Sequence, residues 1–193
     1  MKKIMLVAAA LLTLGTASAQ VSYQLGFLAT SEEWTETLTL GGISASKTSK
    51  NNYSGFMVGA DYNMNIAGGF NVAPGVAMEL SLDNKDNDVK YKEFNVLVPV
   101  DFNYGFNLGQ DLKLYLFAGP TFDLGLMAKN DDRDMFDHGK KRFDVLVGGG
   151  AWVDIKDVIR LKAGYKLGLL DISDNENIEW KKNVFTISVG YIF

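Results

Sequence analysis

The sequence predicts an all-β chain, an eight-stranded antiparallel up-and-down transmembrane β-barrel preceded by a cleavable signal peptide. Three observations lead there. Apolar and polar or small residues alternate with a period of two in eight separate stretches. The connections between them alternate between short and long. The chain closes on the aromatic strand Val184–Phe193, with Phe185, Ile187, Val189, Tyr191 and Phe193 on one face and no polar tail. An exposed edge of that kind invites aggregation, so another strand and an apolar medium must cover it.

At the start, Lys2 and Lys3 precede the apolar run Ile4–Leu14, and Ala17-Ser18-Ala19 supplies the small residues of a cleavage site. Residues 1–19 are therefore assigned as a signal peptide and residues 20–193 as the barrel. The apolar run is shorter than the roughly 20 residues a membrane helix needs. The chain has 23 acidic and 19 basic residues, and loss of Lys2 and Lys3 makes the mature form more acidic, which argues against nucleic acid as a partner. With no cysteine, thiolate metal sites, disulfides, lipid acylation and a cysteine nucleophile are excluded.

The strands follow in order. Val21–Leu28 alternates through Tyr23, Leu25 and Phe27, and Tyr53–Tyr62 through Phe56, Val58 and Ala60. Phe70–Leu82 carries Val72, Val76, Met78 and Leu80 against Asn71, Gly75 and Glu79. The clearest strand puts Phe94, Val96, Val98, Val100, Phe102, Tyr104 and Phe106 on one face. Leu112–Leu126, Arg142–Ile155 and Ile159–Leu169 complete the set before Val184–Phe193. Short turns follow the second, fourth and sixth stretches, and longer connections follow the others. This asymmetry suits a barrel of outer-membrane type.

Periodicity cannot say which face points inward, but volume can. The interior of eight strands is barely wide enough for side chains. The faces opposite the bulky residues hold many glycines, among them Gly55, Gly59, Gly75, Gly105, Gly148, Gly150 and Gly164. Small residues then belong inside and bulky ones in lipid, inverting the arrangement of a soluble barrel. The lumen receives Asp61, Glu79, Asp101, Asp123, Asp144 and Asp154 together with Lys113, Arg160, Lys162 and Lys166. Buried charges are costly unless paired, so a polar network between the basic strand Ile159–Leu169 and acidic residues on its neighbours is expected to plug the pore. The alternative is a narrow ion or small-solute channel. Tyr62, Phe70, Phe102, Tyr104 and Phe106 read as an interfacial aromatic girdle.

Val98-Pro99-Val100, Leu114-Tyr115-Leu116-Phe117-Ala118-Gly119-Pro120, Gly164-Tyr165-Lys166-Leu167-Gly168-Leu169 and Val189-Gly190-Tyr191-Ile192-Phe193 resemble the PorT-like outer membrane protein beta-barrel domain family over about residues 21–193. The architecture is also similar to OmpX, a likeness of fold that transfers no activity. The resemblance implies a bacterial outer-membrane location and a terminal strand, with Tyr191 and Phe193, read as an assembly signal by the barrel assembly machinery. It carries no catalytic motif and no cofactor.

Chemistry is sparse. The one histidine, His138, lies in the charged stretch Asp131–Lys141, and no nucleophile elbow accompanies it, so the chain is not expected to be an enzyme; a lipid-directed enzyme is the third reading. That stretch and Asp83–Asp88 hold oxygen ligands of the kind calcium takes, but neither completes a calcium-binding loop, and no metal site is assigned. The partners expected are outer-membrane lipid and lipopolysaccharide, with the chain a monomer. Between Trp34 and Lys50 two readings stand open. In one, Gly41-Gly42 turns a hairpin that protrudes and offers its edge to an extracellular partner by strand addition; in the other, the stretch is an irregular Ser/Thr-rich loop.

Overall fold

The computed structural model describes residues 19–40, 43–83, 91–175 and 177–193; the expected signal peptide up to residue 18, the expected turn at Gly41-Gly42 and residues 84–90 lie outside the described residues. The strands are β1 (Ala19–Leu40), β2 (Ile43–Ala67), β3 (Phe70–Asp83), β4 (Tyr91–Asn107), β5 (Leu112–Asn130), the two-residue β6 (Arg133–Asp134), β7 (Phe143–Ile155), β8 (Ile159–Gly168) and β9 (Ile178–Ile192). Each long strand pairs antiparallel with its sequence neighbours, β5 pairs β7 past the small β6, and β1 pairs β9 from Ser22↔Ile192 to Glu36↔Ile178. Eight strands thus close into a ring. Closure gives every strand of the wall two partners, which removes the edge problem that the last strand poses alone.

Tight turns fall on one rim. Ala67 and Phe70 are joined by Gly68 and Gly69, both at positive φ, a conformation glycine adopts without steric cost. The β7–β8 turn reaches the left-handed region with Lys156 and Asp157. There Asp157 is held by Lys113, whose ammonium donates to both its carboxylate oxygens at 2.8 Å. Lys113 thus sits at the turn-side rim and secures a turn. Its place in the lumen network is corrected: the inward stem at the barrel's end leaves its long side chain free to reach the rim.

The outer face is a continuous apolar belt that includes exposed Leu25, Phe56, Met78, Leu116, Leu161 and Ile187. At the turn side it ends in ring clusters. Phe70, Tyr104 and Phe106 meet edge to face, as do Tyr23, Phe193 and Tyr191. Phe193 itself is 73% exposed. Tyr62 departs from the expected girdle, being only 9% exposed.

Glycines do line the interior, but as the counterpart of large side chains there. A Cβ on Gly105 would stand 2.6 Å from the Tyr115 ring, and one on Gly150 or Gly164 would stand 2.9 Å from the Phe117 ring. Tyr115, Phe117, Trp152 and Ala73 form one buried cluster, with Tyr115 stacked on Trp152 at 5.0 Å. Leu28, Leu146 and Val184 form another. The expectation of a small-residue lumen is therefore corrected: backbone space freed by glycine on some strands is filled by aromatic rings from others, at the density typical of protein interiors. Accordingly Gly164→Val should destabilise the barrel by about 1–3 kcal/mol through overpacking, read as a lower urea midpoint for refolding into lipid vesicles, whereas Gly109→Val, in a turn where a Cβ meets nothing, should leave that midpoint unchanged.

Candidate functional site

Inward residues of the turn-side half build one polar layer. Arg160, on β8 with no exposed surface, donates from Nε and Nη2 to the two oxygens of Asp154 at 2.8 Å each, a fork-to-fork pair. Its Nη1 crosses the lumen to Asp61 at 2.8 Å and reaches Ser22 at 3.3 Å. Ser22 and Gln24 also donate to Asp61, and Ser188 donates to Gln24 at 3.0 Å. Lys162 donates to Asp101 at 2.7 Å. The aromatic cluster floors this layer, with the Arg160 guanidinium 4.6 Å from the Trp152 ring and the Lys162 ammonium 4.7 Å from that of Phe117. The basic strand pairs with acids in both ways, with its neighbour β7 through Arg160 and Asp154 and across the pore to Asp61 and Asp101, because inward side chains converge on a narrow axis within reach of long cationic groups.

Next along the axis is a cavity of about 40 Å³ whose lining includes Glu79, Lys166, Lys162, Thr186 and Met57. Glu79 is buried, and among the described residues one of its oxygens has no hydrogen-bond partner and neither it nor Lys166 forms an ion pair. The space suffices for a few waters. Asp144, also expected in the network, instead accepts the backbone N–H groups of Val145 and Leu170 at 2.7 and 3.2 Å.

The loop-side mouth is closed by a second layer, of which strand patterning had placed only Asp123 in the lumen. Lys182 of β9 donates to Asp123 at 2.7 Å and lies 3.6 Å from Glu93. Lys140, from the connection between β6 and β7, enters the mouth with 3% of its surface exposed and donates to Glu32 at 2.7 Å, Tyr91 at 2.7 Å and Glu93 at 3.0 Å. Tyr91 donates to Glu93 at 2.7 Å and stacks on Tyr53. The inward Glu32 and Glu93 follow strand alternation once β1 and β4 are extended outward. Lys140 carries no such signal, because a loop residue has no period.

Around this anchor the segment 131–142 lies over the mouth as a strap. A bridge joins Lys140 to Ser173, the Lys141 N–H bonds the carbonyl of Ile172 at 2.8 Å, and Phe136 packs where a Cβ on Gly125 would stand, 2.7 Å from its ring. His138 is exposed, its Nδ1 2.7 Å from the Asp134 carbonyl oxygen. No serine or carboxylate side chain among the described residues bonds it.

Burial draws the Lys140 ammonium down, but Glu32 and Glu93 outweigh it and hold it above the ordinary lysine range. A raised folded-state value means that its contribution is fully present below the ordinary lysine pKa and is lost only as pH rises through the raised one. Titration of Lys140 therefore does not loosen the strap near neutral pH.

A sequence model of the family described as outer membrane protein beta-barrel domain matches residues 7–193. No curated protein matches the chain. Among solved structures, Ail, the attachment invasion locus protein of Yersinia pestis, is 16% identical with a TM-score of 0.50, over 91% of this chain and 99% of that one. Neisserial surface protein A is 14% identical with a TM-score of 0.50, over 88% and 96%. The outer membrane enzyme PagL is 9% identical with a TM-score of 0.51, over 90% and 98%. At these identities the likeness is one of fold.

Two tests address the layers. Arg160→Ala strands Asp154 and Asp61 as buried carboxylates and should cost about 3–5 kcal/mol of unfolding free energy, measured by urea titration in lipid, whereas Lys113→Ala at the exposed rim should cost under about 1 kcal/mol. Lys140→Ala should free the strap, raising tryptic cleavage between residues 129 and 142 by about tenfold or more at pH 8 while the barrel stays folded; an unchanged cleavage rate would show that Lys140 does not hold it.

Proposed function

The chain belongs to the outer membrane protein beta-barrel domain family, and from that premise we propose that it is a non-enzymatic, plugged barrel of the bacterial outer membrane that engages an extracellular partner through the β1–β2 hairpin. The observation that carries this reading is the outer edge of β2, which no strand among the described residues covers. β1 and β2 pair without interruption from Ala19↔Met64 to Leu40↔Ile43, so the stretch left open between loop and hairpin is a paired hairpin. β3 joins β2 only from Tyr53↔Asp83 inward. From Ala45 to Asn52, β2 therefore has β1 on one side and no strand on the other among the described residues.

The direction of that edge follows from the ladder. The Thr37 N–H donates to Asn177, and the Val21 carbonyl accepts from Phe193, so odd residues of β1 point their backbone groups toward β9 and even ones toward β2. In register, Ser46, Thr48, Lys50 and Asn52 of β2 then turn their N–H and C=O groups outward. Polar side chains and the cross-strand charge pairs Glu36↔Lys47 and Glu33↔Lys50 keep the hairpin soluble while its backbone is available to an extended peptide, the strand-addition mode of recognition. An edge of this kind is otherwise guarded in soluble proteins.

The two polar layers and the Lys140 strap support the plugged reading over the channel. The motifs Leu114–Pro120 and Gly164–Leu169 support the PorT-like branch of the family. The same reading takes lipopolysaccharide and the barrel assembly machinery as partners, with Tyr191 and Phe193 as the assembly signal.

Cells producing the chain are expected to bind at least one protein in a panel of immobilised extracellular proteins. The paired substitutions Thr48→Pro and Lys50→Pro, which remove outward N–H donors, should abolish that binding without lowering surface display. Binding that survives the prolines would sink strand addition. Steady single-channel openings in planar bilayers would overturn the plugged lumen.

A further inference from the structure

A groove of about 640 Å³ opens beside the strap, between the start of β7 and the connection from β8 to β9. That volume lies within the range of ordinary ligand sites, about 300–1,000 Å³. Its lining divides by chemistry. Phe136, Phe143 and Leu170 are apolar, Lys140, Lys141 and Arg142 are basic, and Asp171 and Asp174 are acidic.

The basic groups are not equivalent. The Lys140 ammonium is committed to Glu32 and Glu93 inside the mouth. Lys141 and Arg142 are exposed and form no ion pair among the described residues. Lys141 donates to the backbone carbonyl of Asp171 at 3.1 Å, and Arg142 makes one long bond, 3.5 Å, to the carbonyl of Leu126 while its guanidinium lies 4.0 Å over the Phe136 ring. Most of the donors on these two side chains are therefore unused. Among the acids, one Asp171 oxygen accepts the N–H groups of Ser173 and Trp180, so that carboxylate already serves the loop backbone. Asp174 is exposed on the groove wall.

The apolar side of the groove runs into the lipid-facing belt. Phe143 and Leu170 are exposed, as are Leu124, opposite Phe143 in the β5–β7 register, and Leu167 and Leu169 next along the chain. The groove thus places two cations that form no ion pair among the described residues at the loop-side rim, with a hydrocarbon-compatible surface continuing into the bilayer.

We propose that this groove binds an acylated, phosphate-bearing lipid of the outer leaflet. Arg142 and Lys141 take the phosphate oxygens, and acyl chains lie on Phe143 and Leu170. Arg142 supplies a planar fork already stacked on Phe136 and so partly pre-organised, and Lys141 supplies a mobile point charge. A free phosphate would use only the basic half; continuity with the belt selects the lipid. The proposal deepens the reading of the chain as a barrel whose partners include lipopolysaccharide, and it names the residues that would hold it.

The test uses the folded chain in neutral maltoside micelles, with bis-phosphorylated hexa-acyl lipid A, its dephosphorylated form and inorganic phosphate as probes and native mass spectrometry as the readout. The phosphorylated lipid should bind at least about tenfold more tightly than the dephosphorylated one. Lys141→Ala with Arg142→Ala should remove that preference, and Lys141→Arg with Arg142→Lys should restore most of it. Heat-modifiable gel migration of every variant shows that the barrel is intact, so a folded barrel lacking the preference defeats the groove and leaves the barrel reading standing. Equal retention by the double alanine variant, or phosphate competing as well as the lipid, would overturn the proposal.

Discussion

Closing eight strands into a ring leaves an interior only as wide as the side chains that fill it, and most features of this molecule answer to that limit. Lipid outside cannot satisfy the backbone, so the ring must close. Once closed, any charge pointing inward has left bulk water and must find a partner. Arg160 meets this in full, since it has no exposed surface and its guanidinium is shared by Asp154, Asp61 and Ser22, whereas Glu79 and Lys166 face the small lumen cavity. The result is a barrel cross-braced through its centre, in which removing one cation unsettles several strands.

The same limit explains the division of the lumen into layers. Two ion-pair layers sit at different depths. The turn-side layer rests on Tyr115, Trp152 and Phe117, and the loop-side layer is capped by Lys140 and the Tyr53–Tyr91 stack. Aromatic rings fill cross-section that aliphatic side chains would leave void, and their faces also accept the cationic groups above them. Glycine on the facing strands makes this arrangement possible, so the small and the large residues of the lumen are one device.

Function then moves to the loop side. With the strand walls in lipid and the lumen filled save for a small cavity, two features among the described residues can meet other molecules: the hairpin, whose outer edge no described strand covers, and the groove flanked by the strap. They suit different occupants. A polar strand edge offers main-chain hydrogen bonds to a peptide, whereas a basic groove merging with hydrocarbon offers charge and apolar surface together. The strap links the groove to the core, since Lys140 is locked in the mouth while its neighbours Lys141 and Arg142 face outward. The anchoring that closes the lumen also positions the groove.

Wherever one face met lipid, the chain itself revealed the strand. Phe94–Phe106 and Val184–Phe193 alternate without a break because every second side chain enters hydrocarbon, and the glycine-rich opposite faces disclosed which side was the interior. Where both faces meet water that contrast vanishes, which is why β1 and β2 run to Leu40 and from Ile43 although their outer halves read equally well as a loop. Alternation also placed Asp61, Asp101, Asp154, Arg160 and Lys162 inside, but not their pairing, because partners across a pore are set by closure and register. Lys113 turned to the rim, Tyr62 was covered, and Lys140 entered the mouth from a segment without any period. Local periodicity reports the environment of a side chain. Only the closed ring decides which distant charges meet, since a contact such as Lys140 to Glu32 spans most of the chain and depends on every strand between them.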